Sequence, residues 1–270
     1  MSSSRRFFPE ELKNLEAVMP VAAKDMNKVP YATRLLLRNT PVTKVHVITD
    51  SPIVEDDTEQ VVWHDELAVL PYGSDFFDFR PKWMFQQMLK LMQNVTEGEW
   101  YVSVDADTFV VRPMELWSNN GPYLFKEVDS RRIVVPYDTF NQRVFGHSYY
   151  PFSVLNNIVL FNKSIIRDIM EYLGVVDSVQ FAEEVCDIIG PKCYPAEAQF
   201  YLSWLLDRVP GFYGFPTIHV GWRGMYGGYE FSKEQIEETI SHHGAELDIL
   251  LLHSWETRPA GWSGGTYTAF

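Results

Sequence analysis

The most strand-like segment of the chain, WYVSVDADTFVV at residues 100–111, is interrupted by two aspartates. A buried strand does not tolerate two unpaired carboxylates, because each would lose its hydration without gaining a partner. Asp105 and Asp107 are therefore expected where a strand ends. Residues i and i+2 of an extended chain face the same side, so both carboxylates can point at one place. Such a strand end is either simply solvated or holds a cation.

Strand and helix patterns alternate ahead of this segment. Strands are expected within residues 17–25, 44–50 and 60–67, and helices at residues 29–39 and 80–94. This alternation predicts an α/β fold with a mainly parallel central sheet flanked by helices. In such sheets, ligands gather at the carboxyl ends of the strands.

The second half of the chain does not continue the regular alternation of strand and helix patterns. Strands are expected at 132–138 and 156–162, separated by a stretch without clear periodicity at 137–153. Helices are expected at 164–173 with Ser164 as N-cap, at 178–189 with Asp177 as N-cap, at 196–207, and after a capping box formed by Ser232 and Gln235. A last strand at 247–255 is expected to end at His253, followed by a loop-like tail. No repeat or linker divides the chain, which predicts one domain over residues 1–270.

Charge and composition narrow the classes of partner. The chain has a net charge of −13 and lacks long runs of Lys or Arg, which argues against binding to nucleic acid. No window approaches the roughly 18 apolar residues of a membrane span, and no secretion signal is visible. We expect a cytoplasmic protein as the sequence stands, or a lumenal one if it is part of a longer chain. The two cysteines, Cys186 and Cys193, do not suffice for a disulfide scaffold or a cysteine-based zinc site.

Two families give the aspartate pair a role. Carboxylate oxygens suit Mg²⁺ or Mn²⁺, which leave coordination positions for water and substrate phosphates. An apolar strand followed by D-x-D-T resembles the first motif of haloacid-dehalogenase-like phosphatases, in which the first aspartate is the nucleophile. That family carries its motif near the start of the domain and its acidic pair later. Here about one hundred residues precede the motif, and the acidic pair Asp56-Asp57 lies upstream of it.

The D-x-D also resembles that of nucleotide-sugar glycosyltransferases with the GT-A fold, in which the motif closes a central strand. In that family the second aspartate coordinates Mn²⁺ and the first contacts the ribose or the metal. HSWETRP at 253–259 is distantly similar to the H-x-G-x-x-K-P-W signature of the glycogenin and bacterial galactosyltransferase-like group, glycosyltransferase family 8. The resemblance places His253 with the two aspartates as metal ligands. It places Arg258 where the family has its diphosphate-binding lysine, whereas Trp255 and Ala260 depart from the signature.

Further segments extend the resemblance to GT-A glycosyltransferases. The strand NNIVLFN places Asn156 where the family contacts the transferred sugar, and YPAEAQF places Glu197 and Gln199 beside the donor. Asp25 and Asp50 follow expected strands and are candidates for contacts with the base and ribose. Lys82 or Arg80, at the start of the helix before the central strand, is a candidate for contact with the donor. The resemblance implies a nucleotide-binding half at about 17–113 and an acceptor-binding half at about 114–262.

Together these motifs predict a metal-dependent glycosyltransferase. It would use Mn²⁺ or Mg²⁺ to transfer a sugar from a nucleoside-diphosphate sugar, with UDP favoured, to a hydroxyl of a glycan, glycolipid or protein. The signature at His253 points to retention of stereochemistry, whereas inversion would require Glu197 as a general base. Aromatic side chains in GWRGMYGGY (221–229) and GWSGG (261–265) either stack on an acceptor sugar, form a mobile loop or simply pack. The alternatives are a haloacid-dehalogenase-like phosphatase and a GT-A-like domain that binds nucleotide or carbohydrate without catalysis.

Overall fold

The computed structural model describes most of the chain. The described residues are 12, 14–51, 59–127, 135–147, 157–209, 211–226, 231–255 and 266–269. Asn156, Arg258, Trp262 and the acidic pair Asp56-Asp57 lie outside these residues.

A five-stranded sheet forms the centre of the fold, with the strand order β3-β2-β1-β4-β9. Its strands are β1 (Leu15–Pro20), β2 (Val42–Thr49), β3 (Val61–Asp65), β4 (Trp100–Val104) and β9 (Ile158–Asn162). β3, β2, β1 and β4 are parallel, whereas β9 pairs antiparallel with β4. The predicted α/β class, with a mainly parallel sheet, is confirmed.

A second, mixed sheet has the order β13-β11-β12-β5. It consists of β5 (Thr108–Val110), β11 (Val220–Tyr226), β12 (Ile249–Trp255) and β13 (Thr266–Ala269). β11 and β12 are parallel, and the two outer strands run antiparallel to them. The remaining strands are two residues long: β6 (Trp117–Ser118), β7 (Gly121–Pro122), β8 (Lys126–Glu127) and β10 (Thr217–Ile218). Because β5 follows β4 after only three residues, the aspartate pair joins the two sheets.

Helices flank the central sheet. They are α1 (Val29–Asn39), α2 (Glu66–Val69), α3 (Pro81–Leu89), α4 (Val135–Phe145), α5 (Lys163–Leu173), α6 (Ser178–Ile188), α7 (Glu197–Arg208) and α8 (Lys233–His243), with short 3-10 helices at Ala23–Lys28 and Ser74–Phe76. The capping box of α8 and the Asp177 cap of α6 are confirmed. Gly174 ends α5 with a φ of 73°, a conformation that glycine adopts without strain.

Several local predictions were wrong. Residues 135–138, predicted as part of a strand, begin α4, because Pro136 suits the first turn of a helix and the buried Phe140 and Phe145 follow at helical spacing. The N-cap of α5 is Asn162 rather than Ser164, since the Asn162 Oδ1 atom accepts a hydrogen bond from the Ile165 amide at 3.3 Å. α3 ends at Leu89, well before residue 94.

The C-terminal region is also more regular than predicted. Val220–Tyr226, which overlaps the segment 221–229 for which stacking, a mobile loop and packing were left open, forms β11 between two partner strands. β12 continues past His253 to Trp255, and β13 lies in the tail that was expected to be a loop. Strand pairing outweighs the two glycines of β11, because the strand gains a hydrogen-bonded neighbour on each side. None of the described helices is long and apolar enough to cross a membrane.

Candidate active site

The site begins where β4 ends and β9 starts. The Asp105 amide donates to the Asn157 carbonyl oxygen at 3.0 Å, which continues the pairing of the two strands by one residue. The Asn157 side-chain amide in turn donates to Asp105 Oδ2 at 2.9 Å. Asp105 therefore lies at the carboxyl edge of the central sheet, where an α/β fold places its ligands.

Asp107 contacts His253 across the second sheet. β5 pairs with β12, and the Leu252 amide donates to the Asp107 carbonyl oxygen at 2.9 Å. This pairing places His253 Nδ1 2.8 Å from Asp107 Oδ2. Burial opposes ionisation of Asp107, but the charge and hydrogen bond of His253 outweigh it and lower the pKa of Asp107 to about 2. The Trp222 ring stacks on His253 with the centroids 4.8 Å apart, which fixes the plane of the imidazole.

Lys90 connects Asp105 to the predicted sugar-binding helix. Its Nζ atom lies 2.5 Å from Asp105 Oδ1 and 2.9 Å from Glu197 Oε1. Burial opposes the charge of Lys90, but the two carboxylates outweigh it and raise its pKa. Burial raises the pKa of Glu197, an effect that Lys90 partly offsets. Glu197 is wholly buried, and its Oε2 atom has no hydrogen-bond partner among the described residues.

A second buried lysine, Lys28, lies near Asp107. Lys28 Nζ contacts Asp25 Oδ1 at 2.6 Å and donates to the Leu252 carbonyl oxygen at 2.6 Å. Burial raises the pKa of Asp25, an effect that Lys28 opposes. Lys28 also lowers the pKa of Asp107 through its charge. The segment after β1 is thus tied to the residue immediately before His253.

A divalent cation at this site would require several oxygen or nitrogen ligands from Asp105, Asp107 and their neighbours. Within the described part of the chain, no group of three or more His, Cys, Asp and Glu side chains is arranged to hold a metal ion. Asp105 faces Lys90 and Asn157, whereas Asp107 faces His253. Two donors nevertheless fit a cation. The 2.8 Å between Asp107 Oδ2 and His253 Nδ1 is a hydrogen-bond distance, and a cation would take the place of the proton shared by these two atoms.

Asp107 also has a second carboxylate oxygen that could ligate a cation. Its Oδ1 atom is buried and has no hydrogen-bond partner among the described residues. A buried carboxylate oxygen without a partner carries a desolvation penalty, which a cation would remove. Asp107 and His253 therefore suit a cation that takes its remaining ligands from water or substrate.

The other predicted site residues are spread more widely. Gln199 is buried one helical step from Glu197, and its Oε1 atom has no hydrogen-bond partner among the described residues. Asp50 is exposed at the end of β2, where it accepts a hydrogen bond from Thr49 Oγ1 at 3.4 Å. Lys82 is exposed in the first turn of α3, at the opposite end of that helix from Lys90.

Three residues of the site were missed in the sequence. Lys90 stands between apolar residues in MLKLM, and a lysine in that setting is a signal for a buried charge with a partner. Lys28 follows Asp25 by three residues, a weaker signal. Asn157 could be distinguished from Asn156 only by the register of β9 against β4.

The chain was compared with protein families, curated proteins and solved structures. A scan against protein-family models found no match, and a search of curated proteins found none either. Among solved structures, the chain is similar to the apo form of mouse xyloside xylosyltransferase 1, with 11% sequence identity and a TM-score of 0.43. The similarity covers 88% of this chain and 97% of that chain.

Proposed function

We propose that this chain is a glycosyltransferase that moves a sugar from a nucleoside-diphosphate sugar, with UDP favoured, to a hydroxyl acceptor. The observation that carries the proposal is the contact between Asp107 and His253, at 2.8 Å. The two residues come from distant motifs, each of which resembles a metal-binding motif of GT-A glycosyltransferases. Their meeting at the carboxyl edge of an α/β sheet is the arrangement that the resemblance requires.

Asp107 and His253 would hold Mn²⁺ or Mg²⁺, with Asp105 beside them. When bound, the cation would neutralise the negative charge that develops on the departing diphosphate. Arg258, by its resemblance to the family's lysine, is assigned to the diphosphate as well. Asn156 is assigned to the transferred sugar on the same ground.

Lys90 would position the two carboxylates, Asp105 and Glu197, that lie where the transferred sugar is proposed to bind. It holds Asp105 and Glu197 at fixed positions, and both carboxylates are pre-oriented because Lys90 is buried. Glu197 Oε2 and Gln199 Oε1 have no partner among the described residues and are proposed to accept hydrogen bonds from sugar hydroxyls. Glu197 already pairs with Lys90 and is wholly buried, which favours an orienting role over that of a general base. This assignment agrees with a retaining reaction.

Turnover of sugar nucleotides tests the proposal. The purified protein is incubated with a panel of UDP- and GDP-sugars in the presence of Mn²⁺, and release of the nucleoside diphosphate is measured. We expect release from at least one donor, its loss with EDTA, and its loss in Asp107→Ala. Asp168→Ala is the matched control, since Asp168 is exposed on α5 away from the site, and it should behave as the wild type.

The same preparations distinguish the alternatives. Failure to release nucleotide, together with failure to bind UDP in the presence of Mn²⁺, would overturn the proposal. Binding without release would indicate a non-catalytic domain. Hydrolysis of a generic phosphate ester that is lost in Asp105→Asn would indicate the phosphatase instead.

A further inference from the structure

Three aromatic side chains from separate segments meet beside the site. Trp83 belongs to α3, Tyr137 to α4, and Tyr194 to the segment before α7. The Trp83 and Tyr137 rings are nearly parallel, with an interplanar angle of 5° and centroids 6.1 Å apart. Tyr194 stands edge-on to both, at 5.4 Å from Trp83 and 5.5 Å from Tyr137. We refer to these three residues as the aromatic cluster.

The aromatic cluster is not part of the core. All three side chains are partly exposed, whereas ring clusters deeper in the protein, such as Tyr101 with Phe161, are buried. Burial is nevertheless sufficient to raise the pKa of Tyr137 to about 12. The rings thus form a fixed surface that still reaches solvent.

Arg80 borders the aromatic cluster. Its guanidinium lies 4.2 Å from the centroid of the Trp83 ring and 5.3 Å from that of Tyr194. Its positive charge also lowers the pKa of the Tyr137 hydroxyl, against the larger effect of burial. Arg80 has a φ of 50°, the only positive φ of a non-glycine residue in the described part of the chain. The Arg80 guanidinium therefore lies over part of the aromatic cluster, as a cation against the Trp83 and Tyr194 rings.

Two connections link the aromatic cluster to the proposed reaction centre. Tyr194 precedes Glu197 by three residues, a separation of at most about 10 Å along the backbone. α3, which carries Trp83, also carries Gln87, whose Oε1 atom accepts a hydrogen bond from the Glu197 amide at 3.3 Å. The cluster therefore lies within the length of one or two sugar rings of Glu197.

We propose that Trp83, Tyr137 and Tyr194 form a subsite for a sugar ring of the acceptor, an inference that rests on the proposed glycosyltransferase function. A pyranose has a face of C–H groups and a rim of hydroxyls. Flat aromatic rings cover such a face, and tyrosine hydroxyls and a guanidinium supply hydrogen-bonding groups for the rim. The acceptor is accordingly a glycan or glycoside, and a peptide hydroxyl without a sugar would leave the cluster unused.

The chain contains a similar group that serves as an internal control. The Arg208 guanidinium lies 3.2 Å from the centroid of the Trp204 ring and 5.4 Å from that of Tyr172. Trp204 and Arg208 lie on α7, about 10 and 16 Å along the helix from Glu197, and Tyr172 lies on α5. Stacking of arginine on aromatic rings alone therefore does not define the subsite. The hydrogen bond between Glu197 and Gln87 of α3, the helix that carries Trp83, distinguishes the two groups.

The test compares Trp83→Ala and Tyr137→Ala with Tyr172→Ala, whose parent side chain is 51% exposed in the control group. Sugar transfer to a panel of lactose, maltotriose and chitotriose is measured against hydrolysis of the donor. We expect the ratio of transfer to hydrolysis to fall about tenfold in either cluster variant, as is typical for loss of a stacked ring, and to stay unchanged in Tyr172→Ala. Binding of the same oligosaccharides without donor is followed by calorimetry and should weaken in parallel.

The outcomes separate this inference from the proposed function. If the wild type releases nucleotide but the cluster variants keep the wild-type ratio and affinity, the acceptor subsite is wrong and the transferase stands. If the wild type releases no nucleotide, the transferase is wrong, and with it the assignment of an acceptor. Thermal unfolding of each variant shows that it is folded, and Trp83→Phe, which keeps an aromatic ring, should restore most of the ratio.

Discussion

The Nζ atom of Lys90 lies 2.5 Å from Oδ1 of Asp105, and the same atom reaches Glu197 on the other side. One buried cation thus compensates two carboxylates from different parts of the chain. Such a group is costly to break, because removing the cation leaves two negative charges in a poorly solvated place.

Replacement of the cation should therefore destabilise the protein strongly. We expect Lys90→Met to lower the free energy of unfolding by about 3–5 kcal/mol, as measured by urea denaturation. Methionine retains the length of the side chain, so the loss reports on charge rather than on a cavity.

A second substitution tests the origin of that loss. Glu197→Gln removes one of the two carboxylates that Lys90 compensates. Lys90→Met combined with Glu197→Gln should recover a measurable part of the stability, since only Asp105 then lacks its cation. Strictly additive effects of the two substitutions would contradict the structure.

The stabilisation that Asp107 gains from His253 should be lost at low pH. The pKa of Asp107 falls from its ordinary 3.8 to about 2 on folding, so its ionised form stabilises the folded state. This contribution, about 2 kcal/mol, is complete above pH 4 and is lost as the pH falls through 2. The difference in unfolding free energy between the wild type and Asp107→Asn should shrink by that amount between pH 5 and pH 2. A difference independent of pH would show that the contact is absent.

The framework of the fold could be predicted from the sequence because its signals are local. Apolar runs identified β1, β2 and β4, and capping residues marked α6 and α8. Asp105 and Asp107 were recognisable as candidate site residues because two charged residues interrupt an apolar strand pattern. The resemblance of two separate motifs to GT-A glycosyltransferases predicted that Asp107 and His253 lie close together. In the structure the two side chains are in contact.

Other features depended on contacts that no local pattern encodes. β11 forms from a glycine-containing segment, and β13 from the tail, because neighbouring strands supply hydrogen bonds. Lys90 was overlooked in favour of Lys82, since the face of a helix that meets a sheet is decided by packing. The contact of Lys28 with the Leu252 carbonyl joins residues far apart in the sequence and follows only from the tertiary fold.

Lys28 is expected to stabilise the segment after β1. Its loss leaves Asp25 buried without its cation and frees the Leu252 carbonyl, which precedes His253. We expect Lys28→Met to lower the unfolding free energy by about 3–5 kcal/mol. Asp25→Asn should cost less, because a neutral amide tolerates burial better. Urea denaturation of both variants measures the difference, and an equal or larger loss in Asp25→Asn would contradict the proposed role of Lys28.

Metal and nucleotide should stabilise the protein jointly. At a ligand concentration of 100 times Kd, binding to the folded state adds about 2.7 kcal/mol, which raises the Tm by a few degrees in a chain of this size. We expect this shift with UDP and Mn²⁺ together, a much smaller one with either alone, and none after addition of EDTA. His253→Ala should abolish the shift, since it removes one of the two proposed donors. Exposed His219→Ala is the matched control and should retain it. A full shift in His253→Ala would remove His253 from the metal site, whatever the enzyme's activity.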